Sequence, residues 1–363
     1  MTSRPPVYST AGLKRVPDDA NSYMCACRLT DAFFVNEIDM HLQYFGRDEF
    51  LKTYKDAFKD TEYSCEQILE IVEKQLAVRK SDLIETPKRR DLFLTEYERG
   101  DPEIYRWSDD FLAPELAEFV SEVRKASQDS GYDNGGSKIA RVRAAVQKCV
   151  DAGVIKIPRK DLYLVNGLKA DICERLSQEL ARVADSGLQR SRPNSMNNYG
   201  IIMREIGFDH FIDGLVDAFA ALEVLFPLDC DTIDSWRAFT VHYNAVDGDK
   251  GLALHYDNAE VTFNVNIGGD WEGGEVTFYG LHSQNQDNPE PINLALGEAL
   301  FHYGKDKHLS KQVTKGDRRN LIIWCRSSNF RNDQCPLCLR EPQLTSSDSV
   351  HHEGFTKHDS MYD

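Results

Sequence analysis

Leu252-Ala-Leu-His255-Tyr-Asp257-Asn-Ala-Glu-Val261-Thr-Phe-Asn-Val-Asn-Ile267-Gly268-Gly269 reads as two short β-strands closed by a glycine pair. In the second strand Val261, Phe263, Val265 and Ile267 alternate with Thr262, Asn264 and Asn266, the period of two expected when successive side chains point to opposite faces of a sheet. Working outward, comparable runs at 238–243, 275–279, 299–303 and 320–325 are separated by Asp247-Gly-Asp-Lys-Gly251, Gly273-Gly274 and Lys315-Gly316. Many short strands with Gly-rich turns predict a sandwich or a jelly roll.

If the first strand continues through His255-Tyr256-Asp257, His255 and Asp257 project to the same side and Tyr256 to the other. An imidazole nitrogen beside a carboxylate oxygen supplies two ligands for a divalent metal of intermediate softness, and one more histidine would complete the facial triad of non-heme Fe(II) oxygenases. Downstream the choices are His282, His302 and His308. His308 is preferred, because Val313, Gly316-Asp-Arg318 and the strand Asn320-Leu-Ile-Ile-Trp324 follow it and set a basic side chain one strand away. A guanidinium there would hold the far carboxylate of a dicarboxylate co-substrate bidentately and with permanent charge. Arg318 shares its strand face with Asn320, Ile322 and Trp324, whereas Arg319 faces oppositely, so Arg318 is the expected clamp. His302 is read as a wall residue, His242 and His282 as ordinary sheet or loop positions.

The ordered set His255-x-Asp257, Trp271-Glu-Gly-Gly274-Glu-Val-Thr-Phe278, Gly297-Glu-Ala-Leu-Phe301, His308 and Gly316-Asp-Arg318 resembles the prolyl 4-hydroxylase-like branch of the 2-oxoglutarate and Fe(II)-dependent dioxygenases. The resemblance implies an α+β protein whose C-terminal part is a double-stranded β-helix (jelly roll) supported by helices. It implies Fe(II) held by His255, Asp257 and His308, and 2-oxoglutarate held by Arg318 with the hydroxyl of Tyr243. A further family tyrosine, on the strand after the metal turn, is unmatched; Thr262, Asn264 and Asn266 stand on that face and, with Trp324, are expected to line the cavity. The implied reaction consumes O2, decarboxylates 2-oxoglutarate to succinate and CO2, and hydroxylates a substrate, by analogy a protein side chain, with ascorbate as the reductant. The rival expectation is a catalytically silent 2-oxoglutarate-binding scaffold acting through a helical N-terminal region.

That region is read from its periodicity. Ser64 and Gln67 form a capping-box pattern ahead of Ile68, Ile71, Val72 and Leu76, and Pro114 opens a second stripe of Leu116, Phe119, Val120 and Val123. Between them Arg79-Lys80 and Lys88-Arg89-Arg90 form a short basic stretch, read as solvated surface rather than a dock for an acidic partner. The turn formers of 127–137 suggest a flexible linker. Beyond it, 162–165 reads as a strand, and Ile172, Leu176, Leu180 and Val183 as a helix closed by Gly187. The expected divisions are a helical N-terminal region (1–126), a linker and helix (127–160), a helical support (161–235), the β-helix core (236–330) and a CxxC-containing tail (331–363).

With 43 Lys plus Arg against 59 Asp plus Glu the formal charge is −16, which opposes non-specific binding to nucleic acid or an anionic membrane. No stretch offers roughly 18 uninterrupted apolar residues, and nine irregularly spaced cysteines suit a reducing compartment. A soluble intracellular protein is expected, with cytoplasm and nucleus undistinguished. Cys335-Pro-Leu-Cys338 has zinc-ligand spacing, but a second pair would have to come from Cys325 or His351-His352, and two ordinary cysteines are the simpler reading. No thioredoxin-like βαβ context supports a redox role. The tail from Leu344 is read as polar and flexible.

Overall fold

The alternation around Val261 is realised in a computed structural model that describes residues 23–30, 33–128, 136–226, 233–281, 289–346 and 353–355. The chain begins with β1 (Tyr23–Cys25), α1 (Cys27–Thr30), β2 (Phe33–Val35), β3 (Met40–Leu42), α2 (Arg47–Tyr54) and α3 (Cys65–Glu96). α4 (Pro114–Gln128), α5 (Gly136–Asp151), β4 (Ile155–Arg159), β5 (Leu162–Asn166), α6 (Ala170–Asp185) and α7 (Asp209–Phe219) follow. Then come β6 (Ser235–Asn244), β7 (Leu252–His255), β8 (Val261–Gly273), β9 (Val276–Leu281), β10 (Glu290–Ile292), β11 (Glu298–Tyr303), β12 (Asp306–Ser310) and β13 (Val313–Arg326). α8 (Ser328–Asp333) and β14 (Leu344–Ser346) end the described elements.

Two antiparallel sheets carry the fold, a six-stranded one in the order β4-β5-β11-β8-β13-β6 and a four-stranded one in the order β10-β9-β12-β7. Strands adjacent in sequence from β6 to β13 alternate between the two sheets except at β10, which stays beside β9. The apolar residues of β8 and β13, Val261, Phe263, Val265, Ile267, Leu321 and Ile323, share one buried core with residues of α4, α5, α6 and α7. Their alternating partners Thr262, Asn264 and Asn320 turn to the opposite face and line a cavity of about 170 Å³. Gly316 permits the close approach of β13 to its antiparallel neighbour β8: its φ is +72°, and a Cβ there would lie 1.8 Å from the Asp270 carbonyl oxygen. In the same ladders Arg318 stands opposite Gly269 of β8 and Tyr243 of β6.

The described part of the N-terminal third is mainly helical and also carries three short strands. β2 and β3 pair with each other, and β1 pairs with β14. Ser64 and Gln67 form the reciprocal capping box that opens α3, whose Ile68, Leu69 and Val72 pack on Phe33, Val35, Leu42, Phe50 and Phe58 as a separate small core. α3 runs through Pro87 for 32 residues, so the basic stretch sits on one helix. Lys80 and Lys88 are exposed, as the surface reading expects, but the three arginines turn inward: Arg89 bonds Glu205 and Asp82 at 2.8 Å each, Arg90 bonds Asp209 at 2.9 Å, and the Arg79 guanidinium lies 3.9 Å from the Phe33 ring centroid. Residues 129–135 of the expected linker lie outside the described residues, while 127–128 and 136–137 belong to α4 and α5.

Of the tail expected to be flexible, 347–352 and 356–363 lie outside the described residues, and the described parts depart from that expectation. Leu344–Ser346 forms a strand, and Glu353 is buried, facing Arg28 at 3.4 Å, Arg237 at 3.6 Å and Arg326 at 3.3 Å. A polar composition conceals such ordering, because it is supplied by charges far away in sequence. Among the described residues no helix is long and apolar enough to cross a membrane.

Candidate metal centre

β7 and β12 are neighbours in the smaller sheet, and their register sets His308 directly opposite His255. Asp257 lies past the end of β7, where its N–H donates to the Gly304 carbonyl at 2.7 Å. The side chains of His255 and Asp257 meet on one side of the chain, as alternation predicts, while Tyr256 between them is exposed. His255 Nε2 lies 3.5 Å from Asp257 Oδ1 and His308 Nε2 3.8 Å from Asp257 Oδ2. One ligand atom from each of the three fits within 4.8 Å of the others. The Nδ1 atoms of His255 and His308 sit 2.8 Å from the carbonyls of Ala253 and Asp306. Such a partner fixes the tautomer with the proton on Nδ1 and leaves the Nε2 lone pairs converging on one point.

Electrostatics favour the same protonation. Burial, reinforced by the neighbouring His255, pushes His308 down to about 3, so its ring is neutral near pH 7. Burial alone would raise Asp257, but His308 and His255 outweigh it and hold the carboxyl below the usual range. Thr262 donates its hydroxyl to Asp257 Oδ2 at 2.6 Å. The two imidazoles with Nε2 turned inward and one oriented carboxylate in a cleft match a two-histidine, one-carboxylate donor set for a first-row divalent metal.

His302 is fully buried on the cavity wall with Nε2 3.9 Å from Asp257 Oδ2, and its ring meets that of His308 edge-on. It stands outside the three-residue set. His242 faces away and pairs with Asp317 at 3.2 Å; His282 lies outside the described residues.

Arg318 enters the same cavity from the facing sheet. Its guanidinium donates to the Gly274 carbonyl and, at 2.6 Å, to Ser310 Oγ, and lies 4.9 Å from the Tyr243 ring centroid. Both hydrogen-bond partners are neutral, Nε has none, and among the described residues no carboxylate stands at ion-pair distance. Arg319 points outward and pairs with Asp317 at 3.0 Å. Tyr243 is buried, its hydroxyl accepting from Asn197 Nδ2 at 3.2 Å.

Of the polar positions expected on the cavity wall, Thr262, Asn264 and Trp324 line it and Asn266 does not. Asn266 spends both ends of its amide locally, donating to the Leu294 carbonyl at 2.8 Å and accepting from the Gly268 N–H at 2.9 Å. Sequence reasoning missed Ser310, Asn197 and Asn320. Asn320 was detectable, since it lies two residues from Arg318 on the same face of β13; it donates to Asn264 Oδ1 at 2.6 Å, while its own Oδ1 and the Trp324 Nε1 are buried without partners. Arg28, His41 and Arg79 of the N-terminal region also reach the cavity, and no local pattern announced them.

Fold and site together define a mixed helix-and-sheet protein with a three-residue metal-compatible cluster between antiparallel sheets. A family model described as an OGFOD2-like domain matches residues 93–228. The protein named "2-oxoglutarate and iron-dependent oxygenase domain-containing protein 2" from Xenopus tropicalis is 32% identical over 90% of this chain and 91% of its own length. The proteins of the same name from Danio rerio and Homo sapiens are 30% and 31% identical, each over 92% of this chain, covering 94% and 93% of their own lengths. The chain belongs to the family of 2-oxoglutarate and iron-dependent oxygenase domain-containing protein 2.

Proposed function

We propose that the chain is an Fe(II)- and 2-oxoglutarate-dependent dioxygenase, with β6 to β13 as a double-stranded β-helix. His255, Asp257 and His308 hold the metal, and Arg318 receives the far carboxylate of 2-oxoglutarate. The observation that carries this reading is Arg318, a buried cation with only neutral partners in the cavity that the His-Asp-His cluster also lines. Leaving such a charge unpaired is costly, so the site is built for an anionic ligand. Ser310 and the Gly274 carbonyl fix the fork, and the Tyr243 ring braces its face.

When bound, Fe(II) supplies the chemistry that couples O2 to 2-oxoglutarate, so that one oxygen atom enters succinate as CO2 leaves and the other becomes the hydroxyl of the substrate. The protein's part is to orient both ligands and keep the wall around them dry. The unpartnered Asn320 Oδ1 and Trp324 Nε1 are an acceptor and a donor available to co-substrate or substrate. By the prolyl hydroxylase-like resemblance the substrate class is a protein side chain, and ascorbate is the reductant for assay.

Anaerobic loading with Fe(II) and 2-oxoglutarate tests the reading. A weak visible charge-transfer band is expected, with succinate formed when O2 and ascorbate are admitted; absence of both band and bound iron would overturn it. The Thr262 hydroxyl orients Asp257 from outside the ligand set, so Thr262→Val is expected to weaken Fe(II) affinity by about 10- to 100-fold. Titration with unchanged affinity would remove that hydroxyl from the metal site.

A further inference from the structure

Cys335-Pro-Leu-Cys338 finds its second pair at the other end of the chain. Cys25, Cys27, Cys335 and Cys338 bring their sulfurs within 4.8 Å of one another, and all four are free thiols. Neither Cys325, which is buried in the main core, nor His351-His352, which lies outside the described residues, is needed to complete the set. From these four residues we propose a structural zinc site of four thiolates that clasps the N-terminal segment to the C-terminal one.

Geometry favours a metal over a disulfide. Cys27 Sγ lies 3.6 Å from Cys335 Sγ, far beyond the roughly 2.05 Å of a bonded pair. A tetrahedron with Zn–S of about 2.3 Å separates its corners by about 3.8 Å. Backbone N–H groups are aimed at the sulfurs, those of Leu337 and Cys338 at Cys335, and those of Cys27 and Gln343 at Cys25. Such donors stabilise thiolates, and metal sites use them to orient ligands. On binding, each thiol that is still protonated releases its proton to solvent and its sulfur lone pair forms the metal bond.

The local core is too small to do this work alone. Its buried members are Cys25, Cys27, Cys335 and Phe355, and β1 and β14 pair over three residues each. Two segments 308 residues apart are thus joined by little apolar surface, the circumstance in which a metal supplies the folding free energy. Arg28 follows Cys27, Leu337 lies inside the CxxC loop, and both line the oxygenase cavity. The clasp therefore holds two residues of the cavity wall. This proposal concerns different residues from the His-Asp-His cluster and stands independently of it.

The test uses the full chain purified under reducing conditions, with metal content measured after the oxygenase site has been stripped by a mild chelator. One zinc per chain is expected, and Co(II) exchanged into it should give the intense near-ultraviolet thiolate charge-transfer bands that histidine and carboxylate ligands cannot produce. Cys338→Ser should lose at least one thiolate's share of that intensity and bind zinc about 10-fold or more weakly. His308→Ala and Cys65→Ser should keep both zinc and bands. A wild-type chain that holds no zinc, or whose Co(II) form lacks thiolate bands, overturns the proposal without any variant having to fold. Zinc that follows His308→Ala rather than Cys338→Ser overturns it equally.

Discussion

Replacing His308 with alanine is expected to abolish iron binding at micromolar metal and with it all 2-oxoglutarate-dependent succinate formation. The effect should exceed the roughly 10- to 100-fold loss typical of residues that only support a ligand. His308 is one of three donors, its Nε2 lone pair freed by the Nδ1 contact to the Asp306 carbonyl, and among the described residues no other imidazole joins that set. His302→Ala supplies the control, because that ring contacts the cluster from the wall without belonging to it. Its variant should retain iron. Anaerobic Fe(II) titration of both proteins decides the matter: if His302→Ala loses iron while His308→Ala keeps it, the ligand assignment is wrong.

Arg318→Ala is expected to weaken 2-oxoglutarate binding by about 30-fold to several thousand-fold, which corresponds to about 2–5 kcal/mol for truncating one partner of a buried charge pair. The metal should still bind, since Arg318 touches none of the three ligands in the contacts described for it. Anaerobic titration of the iron-loaded protein with 2-oxoglutarate reads the affinity directly and needs no substrate. Arg318→Lys keeps the charge but not the fork, and should recover only part of the loss. Unchanged affinity in Arg318→Ala would place the carboxylate clamp elsewhere and leave the buried guanidinium unexplained.

The sequence by itself determined whatever a local repeat could express. Alternation in Val261–Gly273 and in Val313–Arg326 marked which residues face the helices and which face the cavity, and so separated Arg318 from Arg319. The capping box at Ser64 and the proline at the start of α4 placed two helix beginnings. The order of the histidine, aspartate, glycine and arginine motifs pointed to the oxygenase family.

Tertiary structure alone decided the rest, and the common reason is that a buried polar group is made tolerable by partners distant along the chain. β12 escaped the strand reading because its inward residues, Asp306, His308 and Ser310, are polar; the strand that carries the chemistry lacks the apolar alternation that reveals other strands. Arg89 and Arg90 on α3 looked like surface until Glu205, Asp82 and Asp209 met them. The tail looked loose until Glu353 was set among arginines from three other segments. Likewise the CxxC near the end of the chain is half a site in sequence, and only the pairing of β1 with β14 brings Cys25 and Cys27 to it.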